Sequence, residues 1–423
     1  MPDAPPPACQ PCRMTTAAAP VDSAAHLDHL IAGILPDITA IRHDLHMHPE
    51  IAFAENRTSA IIQRELTALG IAFKSGLARG TGVVAHLPAT DAAGAQRPTI
   101  GLRADIDALP ITELTGLSYA SKNPGFMHAC GHDGHTAMLL GAARVLSAIP
   151  RPRPVTLVFQ PAEEGGGGGQ LLCNEGLMRG EIIGGPISAM FGLHGWPELP
   201  VGTIGTRAGP LLAATDEVHI IIHGTQSHAA YPQYANDTVL CLCQCITALQ
   251  QIVSRNVGPL ESAVLSMCIL KAGTARNVLP SMAEAVGTLR TLDAKVRELA
   301  AARITAICEG TAAAFGCRAE VCIECGYPVT YNNPQLTEKW FAAMESTFGS
   351  ANITRLANPV MGGEDFSYYA REAPSVFFCL GVRPPGQLRY PTLHQPEFDF
   401  NDAALPVGIK AMVTAATSLS LSA

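Results

Sequence analysis

Nine residues, Met127-His128-Ala129-Cys130-Gly131-His132-Asp133-Gly134-His135, place one cysteine, three histidines and an aspartate side by side. Gly131 and Gly134 let the backbone turn tightly between them. A helix-like apolar run, Thr136 to Ile149, follows at once. Imidazole and thiolate hold zinc, manganese, cobalt or nickel, and a nearby carboxylate can orient them. The chain must therefore present this stretch where a loop feeds a helix. Taken alone, a loop of hydrogen-bonded histidines remains the alternative.

The surrounding pattern narrows the choice. Residues 24 to 46 read as a helix, with Leu27, Leu30, Ile31, Ile34, Ile38 and Ile41 near a 3.6-residue period. His43, His46 and His48 fall near its end, and fit either a metal or a solvated helix end. A second helix runs from Thr58 to Leu69 and stops at Gly70. Short apolar runs then alternate with helical segments. Thr81–Leu87, Thr99–Arg103, Val155–Phe159 and Ser188–Leu193 read as strands, the last two of the buried type. That is the pattern of an α/β domain with a mostly parallel sheet.

From Thr215 the order changes to β-α-β-β-α-β: strand 215–223, helix 236–253 capped by Asn236 or Asp237, strands 261–272 and 282–291, helix 294–316, strand 318–325. This is a ferredoxin-like unit. The expected division is a disordered tail over 1–22, a catalytic domain over 23–212 and 329–423, and an insertion over 213–328. Met14 is a candidate start. The resumed α/β part holds a helix near 335–348, a strand 375–380 and a final helix from Asp402.

Composition excludes several functions. Net charge is −8 with no Lys/Arg block, so nucleic acid and membrane surfaces are not expected partners. No apolar run approaches the roughly 18 residues that span a bilayer. Without a secretory signal the expected compartment is the cytoplasm. Thirteen cysteines cannot all pair, and reduced thiols fit that compartment. The spacings Cys9–Cys12 and Cys322–Cys325 have no second pair nearby, so no zinc ribbon is expected. Cys241, Cys243 and Cys245 read as core packing.

In open α/β sheets, sites form beyond the carboxyl ends of strands. Asp105 and Asp107 follow the 99–103 strand, Glu163 and Glu164 follow 155–159, His194 follows 188–193, and His394 follows 375–380 after a Pro-rich loop. Convergence supplies Cys130, His132, Glu164, His194 and His394. Five donors exceed one catalytic zinc and suit two metals sharing a bridging thiolate. The adjacent Glu163 is then free to act as general base. The glycines at 165–169 lack the Gly-Lys-Ser/Thr ending of a phosphate loop.

These motifs resemble the amidohydrolase branch of the aminoacylase/carboxypeptidase metallopeptidases, which includes hippurate and indole-acetyl-amino acid hydrolases. The matching stretches are DLHMHPE at Asp44–Glu50, GLRADIDALPI, MHACGHDGH, FQPAEEG, LHGWPELPVG, GTARNVLP, GTLRTLD, MGGEDFSYY and LHQPEFDFND. The resemblance implies a dinuclear metallohydrolase domain with an inserted lid that also dimerises. It implies two divalent ions per subunit, zinc or manganese first, cobalt or nickel as alternatives. It assigns Cys130, His132, Glu164, His194 and His394 as ligands, Glu163 as general acid/base and Asp107 as orienting group. In the lid, Asn277 and Arg290 would hold a substrate carboxylate. His228 would help polarise the scissile carbonyl, in cis or across the dimer. The implied reaction is attack of a metal-bound hydroxide on the amide of an N-acyl amino acid or similar small conjugate. A carboxypeptidase or dipeptidase would use the same site, and a non-catalytic metal- or amino-acid-binding protein is the reading from another class. Thr225, Gln233, Thr238 and Ala272 stand where the family commonly has Lys, His, Pro and Gly, which leaves the substrate open.

Overall fold

The computed structural model describes residues 24–419; the tail, Met14 and the Cys9–Cys12 spacing lie outside them. One sheet of eight strands forms the larger layer. Its order is Ala72–Leu77, Gly82–Leu87, Val155–Gln160, Thr99–Asp105, Ile187–Pro200, Ser375–Arg383, Ile204–Thr206 and Ile353–Arg355. The central four strands run parallel. The two strands on the Ala72 side pair antiparallel, and so does Ile204–Thr206 against its neighbour. The central strands are buried along almost their whole length because helices cover them. The helix Ala24–Met47 packs its Ile31, Ile38, Ile41 and Leu45 stripe into that core, as its period requires.

Two strand ends differ from the sequence expectation. Asp105 closes its strand rather than following it, because it still pairs with Gln160. His194 lies inside its strand: pairing with Ser375–Arg383 continues through Cys379↔His194 and Leu380↔Gly195 to Pro200. The apolar run ends at Leu193, but backbone pairing does not. The edge strand Ala72–Leu77 was not anticipated. It is exposed and carries Lys74, Ser75 and Gly76, so it lacks an apolar alternation.

The second unit is a four-stranded antiparallel sheet in the order Ala263–Ala272, Met282–Thr291, Ala214–His223, Arg318–Cys325. By chain order that is 2-3-1-4, the ferredoxin-like arrangement. Helices Thr238–Gln251 and Ala294–Ala314 cover one face. Alternation on Ala214–His223 sends Val218, Ile220 and Ile222 into this core. Asp237 caps the first helix by accepting from the Val239 and Leu240 N–H groups. Cys241 and Cys245 are buried one turn apart, but Cys243 is exposed, since two residues along a helix is half a turn.

The histidines at the end of the first helix divide: His43 and His48 stay partly exposed, each beside an aspartate, while His46 turns inward. His46 is buried and bonded to Asp133 at 2.9 Å, and Asp133 also takes the Arg42 guanidinium at 2.8 Å. Burial alone would lower the His46 pKa; Asp133 and Glu113 together outweigh it and raise it to about 9. This network ties the Asp133 turn to the core beneath the site.

Candidate metal centre

The Cys130 stretch enters the helix His132–Ala148 through Gly131, whose φ of +86° favours glycine. Gly134 is required for a different reason: a Cβ there would sit 2.6 Å from the Phe400 ring. The turn thus packs on Phe400 and aims its side chains at the strand ends.

The tautomers follow from the hydrogen bonds. His132 Nδ1 faces the Asp107 carbonyl at 2.9 Å, so it must donate, with Asp107 Oδ1 at 3.3 Å. His194 Nδ1 donates to the Gly195 carbonyl at 2.8 Å. Each neutral ring then presents an Nε2 lone pair. His132 Nε2 is buried without a hydrogen-bond partner. His194 Nε2 lies 3.3 Å from Cys130 Sγ. His394 Nε2 and Glu164 Oε1 are 3.2 Å apart, an ion-pair distance, and that oxygen is buried.

Two donor triads share Cys130, Cys130-His132-His194 and Cys130-Glu164-His394, each with its atoms within 4.8 Å of one another; His132, Glu163 and Glu164 meet the same distance without the thiol. The five donors expected from the sequence are therefore brought together, in an arrangement that fits two ions sharing a thiolate. His135 also sits beside Asp105 and His132, but its capacity is used. Its Nδ1 meets Asp105 Oδ1 at 2.6 Å, and its Nε2 accepts the Gly195 N–H at 2.8 Å.

The electrostatics match a centre short of positive charge. Burial, then Glu164 and Glu163, pushes the Cys130 thiol well above its usual range. Burial would lower His132, but Asp105 and Asp107 lift it to about 10. Burial and His135 drive His194 well below the usual imidazole value. Cations at the two triads would replace the protons of Cys130 and His132, while His194 is already neutral. Glu163 is raised well above a normal carboxyl by burial, then by Glu364 and Glu164. Its carboxyl makes no hydrogen bond to a described residue, whereas Glu164 is lowered, against its burial, by His394 and His132. Asp107 links the two halves: its Oδ2 accepts the Glu164 N–H at 2.9 Å.

A cavity of about 800 Å³ opens on the centre. Cys130, Glu163, Glu164, His194 and His394 line its floor, and Arg290 its lid side. The Arg290 guanidinium has neither hydrogen bond nor ion pair among the described residues, and Gly363 leaves it room, with Nη1 3.3 Å from where a Cβ would stand. Asn277 and His228 are not brought to this cavity within one chain. They sit together on a two-stranded ribbon of the lid, Ser227–His228 against Val278–Leu279, with the Ala229 N–H donating to the Asn277 carbonyl at 2.9 Å.

Sequence reasoning missed three residues here. Glu364 lines the cavity and bonds to the buried Arg103 at 2.9 Å; the MGGEDFSYY stretch was a signal. Tyr327 and Glu55 contact the Glu163 loop and carried no signal in spacing or type.

Comparison with known proteins gives a consistent picture. Residues 101–418 match the model of peptidase family M20/M25/M40. The chain is 38% identical over 383 residues to an N-acetyldiaminopimelate deacetylase of Lacticaseibacillus casei, covering 89% of this chain and 96% of that protein. It is 39% identical over 371 residues to an N-acetyl-L-cysteine deacetylase of Bacillus subtilis, covering 87% and 84%. Among solved structures, the YXEP protein of Bacillus subtilis, described as a dinuclear metal-binding peptidase of the M20 family, superposes with a TM-score of 0.77 at 34% identity, covering 91% of this chain and 98% of that one.

Proposed function

The chain belongs to peptidase family M20/M25/M40, and on that footing we propose that it is a metal-dependent amidohydrolase that cleaves N-acyl amino acids. The observation that carries this reading is the pair of donor triads sharing Cys130, with the Glu163 carboxyl beside them and free of any hydrogen bond to a described residue. His132, His194, Glu164 and His394 would hold two divalent ions, with Cys130 common to both. When bound, such ions supply Lewis acidity, polarising a carbonyl and acidifying water.

The rest falls to the chain's own side chains. Glu163 stands within the cavity with a carboxyl held toward its neutral form. Cations held by the neighbouring donors would favour its ionised form, and a carboxylate of raised basicity suits accepting a proton from water and delivering it to the leaving nitrogen. Asp107 keeps His132 in the tautomer that presents Nε2. Arg290, a free guanidinium on the cavity wall, offers a planar fork that matches a carboxylate. Every N-acyl amino acid carries one, remote from the scissile bond, so the clamp positions the amide as well as adding affinity. Arg290→Ala is expected to lower kcat/KM by on the order of 2–4 kcal/mol. The loss should shrink when the substrate carboxylate is replaced by a neutral amide. Equal losses on acid and amide substrates would assign Arg290 a structural role.

The substrate class is tested by one panel: N-acetyl amino acids, hippurate and dipeptides, each with zinc, manganese, cobalt and nickel. The N-acyl amino acids should lead. A preference for dipeptides would assign the site to a peptidase.

Residues 213–328 act, in this reading, as a lid that pairs with a second chain. The edge strand Ala263–Ala272 exposes Val264, Ile269 and Leu270, and the adjoining helix exposes Val239 and Leu240. An apolar edge of this kind associates unless covered. Dimerisation also supports a role for His228 and Asn277, which one chain leaves away from its own cavity. His228 Nδ1 accepts the Ala230 N–H at 3.0 Å, leaving Nε2 open. If the partner's cavity receives it, mixing His228→Ala subunits with Glu163→Gln subunits should restore activity through one intact composite site. A monomer by light scattering, or no recovery on mixing, contradicts this. The reading places the enzyme in the cytoplasm, where the buried thiols of Cys241, Cys245 and Cys308 stay reduced.

A further inference from the structure

Five successive glycines, Gly165–Gly169, describe a loop that should wander, yet it is tied to one atom. The Tyr327 hydroxyl donates to the Glu163 carbonyl at 2.6 Å. It accepts the Gly165 N–H at 3.0 Å and the Gly167 N–H at 3.2 Å. A phenol has one proton and two acceptor positions, so its capacity is filled. Gly165 and Gly167 have φ of +90° and +67°, and Ala162 has +55°. The chain therefore curls around this oxygen through three left-handed residues, one of them not glycine. Such a backbone persists only where its surroundings hold it. Two carboxylates hold the flanks: Glu55 accepts the Ala162 N–H at 3.0 Å, and Asp107 the Glu164 N–H at 2.9 Å.

Tyr327 does not come from the catalytic sheet. It lies where the chain returns from the lid, two residues after the strand Arg318–Cys325. Its N–H donates to Thr215 Oγ1 at 2.9 Å, and its carbonyl accepts the Thr215 N–H at 2.9 Å. Thr215 is in the strand that enters the lid. One residue thus bonds both lid connections and the loop carrying Glu163.

We propose that Tyr327 is a positioning residue: its hydroxyl fixes the Glu163 loop and makes the placement of that carboxyl depend on the lid's two connections. This rests on the reading of Glu163 as acid/base. The hydroxyl does not serve the substrate, because its only proton is committed to the Glu163 carbonyl. A lid shift about Thr215 and Tyr327 moves the oxygen that three loop groups share.

The test is Tyr327→Phe, which removes one oxygen and keeps the ring, assayed beside Glu163→Gln on the metal-loaded enzyme. With the loop released, kcat should fall on the order of 10-fold or more, while KM changes by less than about 3-fold. Metal content should stay at the wild-type level, and amide hydrogen exchange across residues 162–169 should quicken. Wild-type kcat in Tyr327→Phe, with Glu163→Gln inactive, overturns the positioning role alone. A kcat loss matched by metal loss also overturns it, because the residue would then be supporting the centre as a whole. Normal turnover in Glu163→Gln defeats the acid–base reading, and this inference with it.

Discussion

Glu163→Gln is expected to keep its metal ions and its fold while turnover falls roughly 10²–10⁴-fold, the usual worth of general acid–base catalysis. The side chain is nearly buried and its carboxyl makes no hydrogen bond to a described residue, so no fixed partner among them is lost on substitution. Burial, Glu364 and Glu164 already hold it toward the neutral form, and a neutral amide of equal size costs the fold little. What the amide cannot do is accept a proton from water. The neighbouring Glu164 should behave oppositely: it points into the Cys130-Glu164-His394 triad, and Glu164→Gln should lose metal. Loss of metal with Glu163→Gln, but not with Glu164→Gln, would exchange the two roles.

Cys130→Ser should be as damaging through a different route. Cys130 belongs to both triads, so weakening it weakens both at once. Its thiol is pushed up by burial and by two glutamates, and only bound cations would draw off its proton. A serine hydroxyl is a far weaker acid and offers no soft anionic bridge. Metal content should fall, and turnover should drop to background with it. His132→Ala, His194→Ala, Glu164→Ala and His394→Ala should each follow. Full metal occupancy and ordinary turnover in Cys130→Ser would remove the thiolate from the account.

How far the sequence carried these conclusions depended on where the chemistry sits. Cys130, His132, Glu164, His194 and His394 were legible because strand ends in one sheet converge, and each donor stood near an apolar run. The lid was legible because alternation such as that of Val218, Ile220 and Ile222 marks a half-buried sheet. The extent of the His194 strand was not, since polar residues can stay paired when a neighbouring strand continues beside them. Cys243 was misread because buried neighbours at 241 and 245 sit on one helix face and it sits on the other. Glu55 and Tyr327 were illegible for a deeper reason. Their contacts to Ala162 and to the glycine loop span 107 and more than 150 positions of chain, and nothing local encodes such pairings. The placement of His228 and Asn277 on a ribbon away from the cavity of their own chain was also beyond the sequence, because the motif that holds them says nothing of where the ribbon sits.

The central claim is a thiolate-sharing pair of divalent ions that hydrolysis depends on. Metal analysis paired with turnover on an N-acetyl amino acid tests it most directly, before chelation, after it and after the ion is returned. The account predicts two ions per chain, loss of turnover as they are stripped, and recovery on their return. Undiminished turnover by a chain stripped of metal would contradict it.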